Sequence, residues 1–290
     1  EQRRTMKKKN TTDLLRFYGG DIREKTEYGI MQKAGIMDDR LWGDEEAYRT
    51  LNALLFDGYE NEKERIDRES CQLNPTFIER LEETLSIYTG VFSLMCKCKD
   101  TDGEKVRVKR VDREASLKAY EKGYTGSFVS CTKGDYQEDF SQKNNVILLE
   151  AEILPGIPCA DFQKLVSESE YSNFVEQEVL LPPFLPLDIE KISLSKRENK
   201  MLRDINGNSP AGKYLLKPGK FPDYRKEITT SMEELYKVLS EEKDAAAISL
   251  QKMNEGLWQE DYTDYIRWKE KLHSYLKLLY SEMWHGEEKV

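Results

Sequence analysis

Apolar positions recur at helical spacing through the first hundred residues and then change to alternation. Tyr48, Leu51 and Leu55 fall at i, i+3 and i+7, which predicts a helix entered through Gly43-Asp44 and stopped at Gly58. Asn74-Pro75 opens a second helix, with Phe77, Ile78, Leu81, Leu85 and Tyr88 on one stripe. After the turn Asp100–Gly103, residues 105–111 alternate, with Val106, Val108 and Arg110 on one face and Arg107 and Lys109 on the other. Further strands are predicted over 128–132, 146–153, 175–181 and 189–195. From Ser231 two long helical patterns follow, broken at Gly256, and they predict an antiparallel helical hairpin.

Helices followed by a run of strands predict an α+β fold with an antiparallel-rich sheet. The organisation expected is an N-terminal extension over 1–43, an α+β domain over 44–200, a linker over 201–230 and the hairpin over 231–290. No glycine-rich phosphate loop follows any strand, so dinucleotide-fold and P-loop readings have no support.

Composition narrows the chemistry. Forty-five Lys and Arg against 54 Asp and Glu leave a formal charge of −9, which excludes broad capture of nucleic acid. No apolar run approaches the roughly 20 residues of a membrane span, and the mixed charges of the hairpin disfavour lipid binding. The chain is expected to be soluble, without nucleic-acid or membrane partners. His273 and His285 are the only histidines, so metal or triad chemistry based on histidine has no framework. Five irregularly spaced cysteines read as free thiols of a reducing compartment. Export and oligomeric state carry no signal in the sequence.

One constellation carries chemistry. Arg110 stands on a strand, Phe128-Val129-Ser130-Cys131-Thr132 forms the next, and Glu176-Gln177-Glu178 leads into Val179-Leu180-Leu181-Pro182-Pro183. Two carboxylates two positions apart in a strand share a face, roughly 6.5–7 Å apart at about 3.3 Å per residue. Their repulsion requires that one be raised in pKa or held by hydrogen bonds. A fixed carboxylate pair suits a site that stabilises a developing cation and accepts a proton. The competing reading of the pair alone is a solvated strand face.

This set, from about Asp44 to Ser195, resembles the arginine–serine–glutamate class of mono-ADP-ribosyltransferases, a family used as bacterial toxins and effectors. The resemblance implies that NAD is bound as a substrate and that ADP-ribose passes to a protein acceptor. It implies that Glu178 stabilises the oxocarbenium-like transition state and that Glu176 orients and deprotonates an acceptor arginine. Ser130 and Thr132 match the serine motif, Ser130 supporting Glu178 and the ribose. Arg110 matches the phosphate-binding arginine, with Arg16 as competitor and Arg107 or Arg113 as weaker ones. Tyr171 and Phe174 occupy the position of the acceptor-recognition loop; Phe174 reads equally as the first core residue of its strand. Cys131 and the Lys-Arg-Val context of Arg110 depart from the family pattern. Two alternatives stay open: an NAD glycohydrolase, and a non-enzymatic module that binds a partner through the hairpin.

Overall fold

A computed structural model of the chain describes residues 14, 18, 47–56, 73–98, 105–136, 145–166, 176–207, 212–255 and 263–286. In chain order its elements are α1 (Ala47–Leu55), α2 (Thr76–Glu79), α3 (Leu81–Lys97), β1 (Val106–Arg113) and α4 (Leu117–Tyr120). There follow β2 (Val129–Thr132), β3 (Val146–Ile153), β4 (Ala160–Asp161), α5 (Phe162–Leu165), β5 (Glu178–Leu181) and β6 (Leu187–Ile192). The last are α6 (Lys196–Asn206), β7 (Lys213–Pro218), α7 (Met232–Asn254) and α8 (Thr263–His285). The architecture is α+β, as the pattern predicts, and it separates into a helical unit and a sheet unit.

The helical unit joins the first helices to the C-terminal pair. Asn74 Oδ1 accepts the Thr76 N–H at 3.0 Å, as a cap should. The stripe Phe77, Ile78, Leu81, Leu85 and Tyr88 is buried throughout, but the chain breaks at Arg80 and divides one expected helix into α2 and α3. Ser231 and Glu234 form a capping box that starts α7. Trp268 Nε1 donates to the Leu239 carbonyl at 3.0 Å, and the Tyr236 and Tyr275 rings lie 6.3 Å apart, so α7 and α8 run antiparallel. The pair packs on the early helices: Lys269 Nζ donates to the Phe56 carbonyl at 2.6 Å, and Tyr280 stacks on Phe92 at 4.0 Å. The proposed cap at Gly43-Asp44 and stop at Gly58 lie outside the described residues.

The sheet unit, within residues 95–222, is a seven-stranded mixed sheet in the order β4-β5-β2-β1-β3-β7-β6. Only β3 and β7 pair in parallel. β1 and β3 pair along their whole length, from Val106 opposite Ile153 to Arg113 opposite Val146. Val146–Leu149 are all buried, which is why this apolar run reads so clearly as a central strand. By contrast β1 and β2 share one register pair, Lys109 opposite Thr132. The sheet is thus held as two halves that meet at a short seam.

Residues 201–230, expected as a linker, carry the end of α6 and the whole of β7. A buried charge hides this strand: Lys213 is buried, its Nζ held by Glu150 Oε1 at 2.8 Å and Glu198 Oε1 at 2.7 Å. Pairing the ammonium with two acids offsets the cost of burying it.

β5 is anchored where it ends. Thr125 is fully buried; its hydroxyl donates to the Pro182 carbonyl at 2.6 Å and accepts the Leu185 N–H at 2.9 Å. Thr125→Val keeps the shape but orphans both groups, so a loss of about 2–4 kcal/mol is expected by urea unfolding. A loss under about 1 kcal/mol would show that this hydroxyl does not hold the segment.

Candidate functional site

The seam between the two half-sheets holds a small cavity of about 30 Å³, lined by Lys109, Arg110, Val111, Ser130, Cys131, Thr132, Glu176 and Glu178. Five sequence-predicted residues meet there: Arg110 from β1, Ser130 and Thr132 from β2, Glu176 before β5 and Glu178 as its first residue. Tyr171, Phe174 and Arg16 lie outside the described residues. Arg107 turns to the opposite face, where its largely exposed side chain pairs with Glu152 at 3.1 Å.

Glu178 is reached by a line of hydrogen bonds that starts on β1. Arg110 Nη1 donates to the Ser130 carbonyl at 2.7 Å, and Ser130 Oγ donates to Glu178 Oε1 at 2.7 Å. β2 and β5 pair from Val129 opposite Leu181 to Thr132 opposite Glu178, so the ladder carries Glu178 to this seam. The β1–β2 ladder stops after a single pair, and the guanidinium takes up a carbonyl there.

The two glutamates do not share a strand, contrary to the expectation. β5 begins at Glu178, and Gln177 has φ 51°, a left-handed conformation that ends the alternation. Glu176 comes to the cavity by a turn instead. Thr132 Oγ1 donates to the Glu176 carbonyl at 2.6 Å and accepts the Gly134 N–H at 2.9 Å, while the Lys133 N–H donates to the Gln177 carbonyl at 3.1 Å. The Thr132 hydroxyl is therefore engaged with main chain on both sides and fixes the turn that bears Glu176.

The resemblance implies a phosphate as the anion of Arg110, but the protein supplies one itself. Arg110 Nε donates to Asp112 Oδ2 at 2.7 Å, and Asp112 is buried. Burial alone would raise the Asp112 carboxyl; the neighbouring guanidinium and the hydrogen bonds from Arg110, Ser116 and the Arg113 N–H outweigh it and hold the carboxyl below its ordinary range. Burial likewise disfavours the Arg110 cation, and Asp112 more than compensates, so the guanidinium is held charged. Sequence reasoning missed Asp112. The signal was present: Arg110-Val111-Asp112 places opposite charges on one strand face.

Cys131 faces away from Ser130 and is buried; burial pushes its thiol up to about 12, so it stays protonated at neutral pH and is no nucleophile. His273 is occupied structurally, its Nε2 lying 2.9 Å from the Leu54 carbonyl. Among the described cysteines, Cys98, Cys131 and Cys159 are free thiols. Among the described residues no cluster could hold a metal ion, and no helix is long and apolar enough to cross a membrane.

No protein-family model and no curated protein matches the sequence. Among solved structures, the catalytic domain of VahC from Aeromonas hydrophila aligns with 72% of this chain and 98% of its own, at 15% identity and a TM-score of 0.35. That is a distant likeness to a catalytic domain, and the chemistry of the site is read from its own geometry.

Proposed function

We propose that this chain is an NAD-dependent mono-ADP-ribosyltransferase, which breaks the nicotinamide glycosidic bond of NAD⁺ and passes ADP-ribose to a protein, with arginine as the preferred acceptor. The observation that supports it is the line Arg110–Ser130–Glu178, with Glu176 in the same cavity. It supplies a carboxylate fixed in place by a hydroxyl, an oriented guanidinium and a second carboxylate, the groups that this chemistry needs.

In this reading NAD⁺ is a substrate, with its phosphates on the Nη side of Arg110 and its ribose against Ser130 and Glu178. As the C1′–N bond breaks, nicotinamide leaves with the electron pair and positive charge grows on the ribose. A carboxylate already held by Ser130 stabilises that charge without having to reorganise. Glu176 takes the proton that the acceptor guanidinium loses when its nitrogen attacks C1′. Thr132 holds the turn that carries Glu176. Tyr171 and Phe174 are assigned to acceptor recognition on the resemblance alone.

The test is nicotinamide release from NAD⁺ together with transfer of adenine-labelled ADP-ribose to agmatine or to candidate proteins. Absence of both overturns the proposal. Glu176→Gln separates transfer from hydrolysis. It removes the proton acceptor and keeps the shape, so agmatine modification is expected to fall by about 10²-fold or more while NAD⁺ hydrolysis persists within a few fold. Equal loss of both would show that Glu176 is not specific to the acceptor step.

A further inference from the structure

We propose that Asp112 is a positioning residue for Arg110, fixing the guanidinium by its Nε so that the Nη edge is held at the seam for an anionic substrate. The proposal rests on the transferase reading only for the identity of that substrate.

Four donors converge on the Asp112 carboxylate and fill it. Oδ2 accepts from Arg110 Nε at 2.7 Å and from the Tyr120 hydroxyl at 3.0 Å. Oδ1 accepts from the Ser116 hydroxyl at 2.8 Å and from the Arg113 N–H at 2.8 Å. These partners come from β1, the short turn Glu114–Ser116 and α4, so the carboxylate ties three segments together behind the arginine. The cluster is buried: Asp112 is 6% exposed and Tyr120 is 5% exposed.

The guanidinium that results is fixed but not exhausted. Of its five N–H donors, two are used, by Asp112 and by the Ser130 carbonyl. Three remain without a partner among the described residues, and Arg110 lines the cavity. An anion arriving there meets donors already aimed, in a pair whose net charge is zero. Affinity and turnover are then set by different properties of Arg110: its charge draws the anion, and its orientation aligns the substrate with Glu178. Asp112 weakens the first and secures the second.

That division gives an experiment on the full chain. Asp112→Asn keeps size and acceptor oxygen but removes the charge. The Arg110 Nε–H resonance, assigned by its absence in Arg110→Lys, should exchange with solvent at least about tenfold faster in Asp112→Asn. With NAD⁺ as the probe, KM should fall by about two- to fivefold, because the neutralising charge is gone. Over the same comparison kcat should fall by at least about tenfold, because the guanidinium is no longer aimed. Structural damage alone would not lower KM. Tyr120→Phe removes a single donor from the carboxylate and, should Asp112→Asn fail to fold, is expected to move all three quantities in the same directions by less. Unchanged exchange at Arg110 in a folded variant overturns the proposal, as does a KM that rises while kcat falls. If wild-type protein turns over no NAD⁺, the transferase reading fails and the exchange measurement alone decides the positioning role.

Discussion

Glu178→Ala is expected to lower nicotinamide release from NAD⁺ by about 10²–10³-fold, the scale of removing one preorganised group that stabilises transition-state charge. The reasoning starts from the half-buried side chain at the head of β5, held at Oε1 by Ser130 Oγ at 2.7 Å. A carboxylate kept in one place acts on the transition state at no cost of reorganisation, and alanine leaves nothing to replace it. Folding should hardly notice, since a half-buried strand-end residue outside the core contributes within about 0.5–1 kcal/mol. The melting temperature should therefore shift by less than about 4 °C. Parallel thermal scans and nicotinamide assays separate the two effects. A large thermal shift with proportionate loss of rate would make Glu178 a structural residue.

Arg110→Met is expected to cost stability as well as activity, with a destabilisation of about 3–5 kcal/mol by urea unfolding, because it strands the buried Asp112 carboxylate. Adding Asp112→Asn should recover most of that loss, since the doubly substituted protein carries no unpaired buried charge. The pH dependence follows from the same pair. In the wild type the Asp112 carboxyl is held below its ordinary value of 3.8, so its contribution is present above that value and is lost as pH falls through the lowered folded-state pKa. In Arg110→Met only burial and the neutral donors remain, and burial raises the carboxyl. The variant is then favoured by protonation and loses stability as pH rises. The gap from wild type should be narrower at pH about 4.5 than at pH about 7.5. A gap independent of pH would mean that Asp112 is not the group left unpaired.

Much of this site could be read in advance because it rests on short local patterns. The run over Val146–Ile153 appears as β3 with the expected bounds, buried on both faces through Leu149. The parity of Val108 and Arg110 on β1, the Ser130 position on β2 and the start of the Val179–Leu181 run are all local, and the structure brings them together at one seam. What escaped depends on partners distant in the chain or on special backbone. The Lys213–Pro218 strand looked like linker because its buried lysine is compensated by Glu150 and Glu198, which no local pattern joins to it. Glu176 and Glu178 looked like neighbours on a strand face because nothing in Glu-Gln-Glu announces a left-handed glutamine. Asp112 is the exception: the alternation Arg110-Val111-Asp112 already places opposite charges on one face, and only the contacts from Ser116 and Tyr120, folded back over β1, are not legible in that pattern.

The most direct measurement is a reaction of the purified full chain with NAD⁺ labelled separately in the nicotinamide ring and in the adenine, agmatine being present or absent, with free nicotinamide counted by the first label and modified agmatine by the second. The account predicts nicotinamide release in both reactions and ADP-ribosyl-agmatine in the first, both lost in Glu178→Ala. No nicotinamide release by the wild-type protein, or release that persists undiminished in Glu178→Ala, would contradict it.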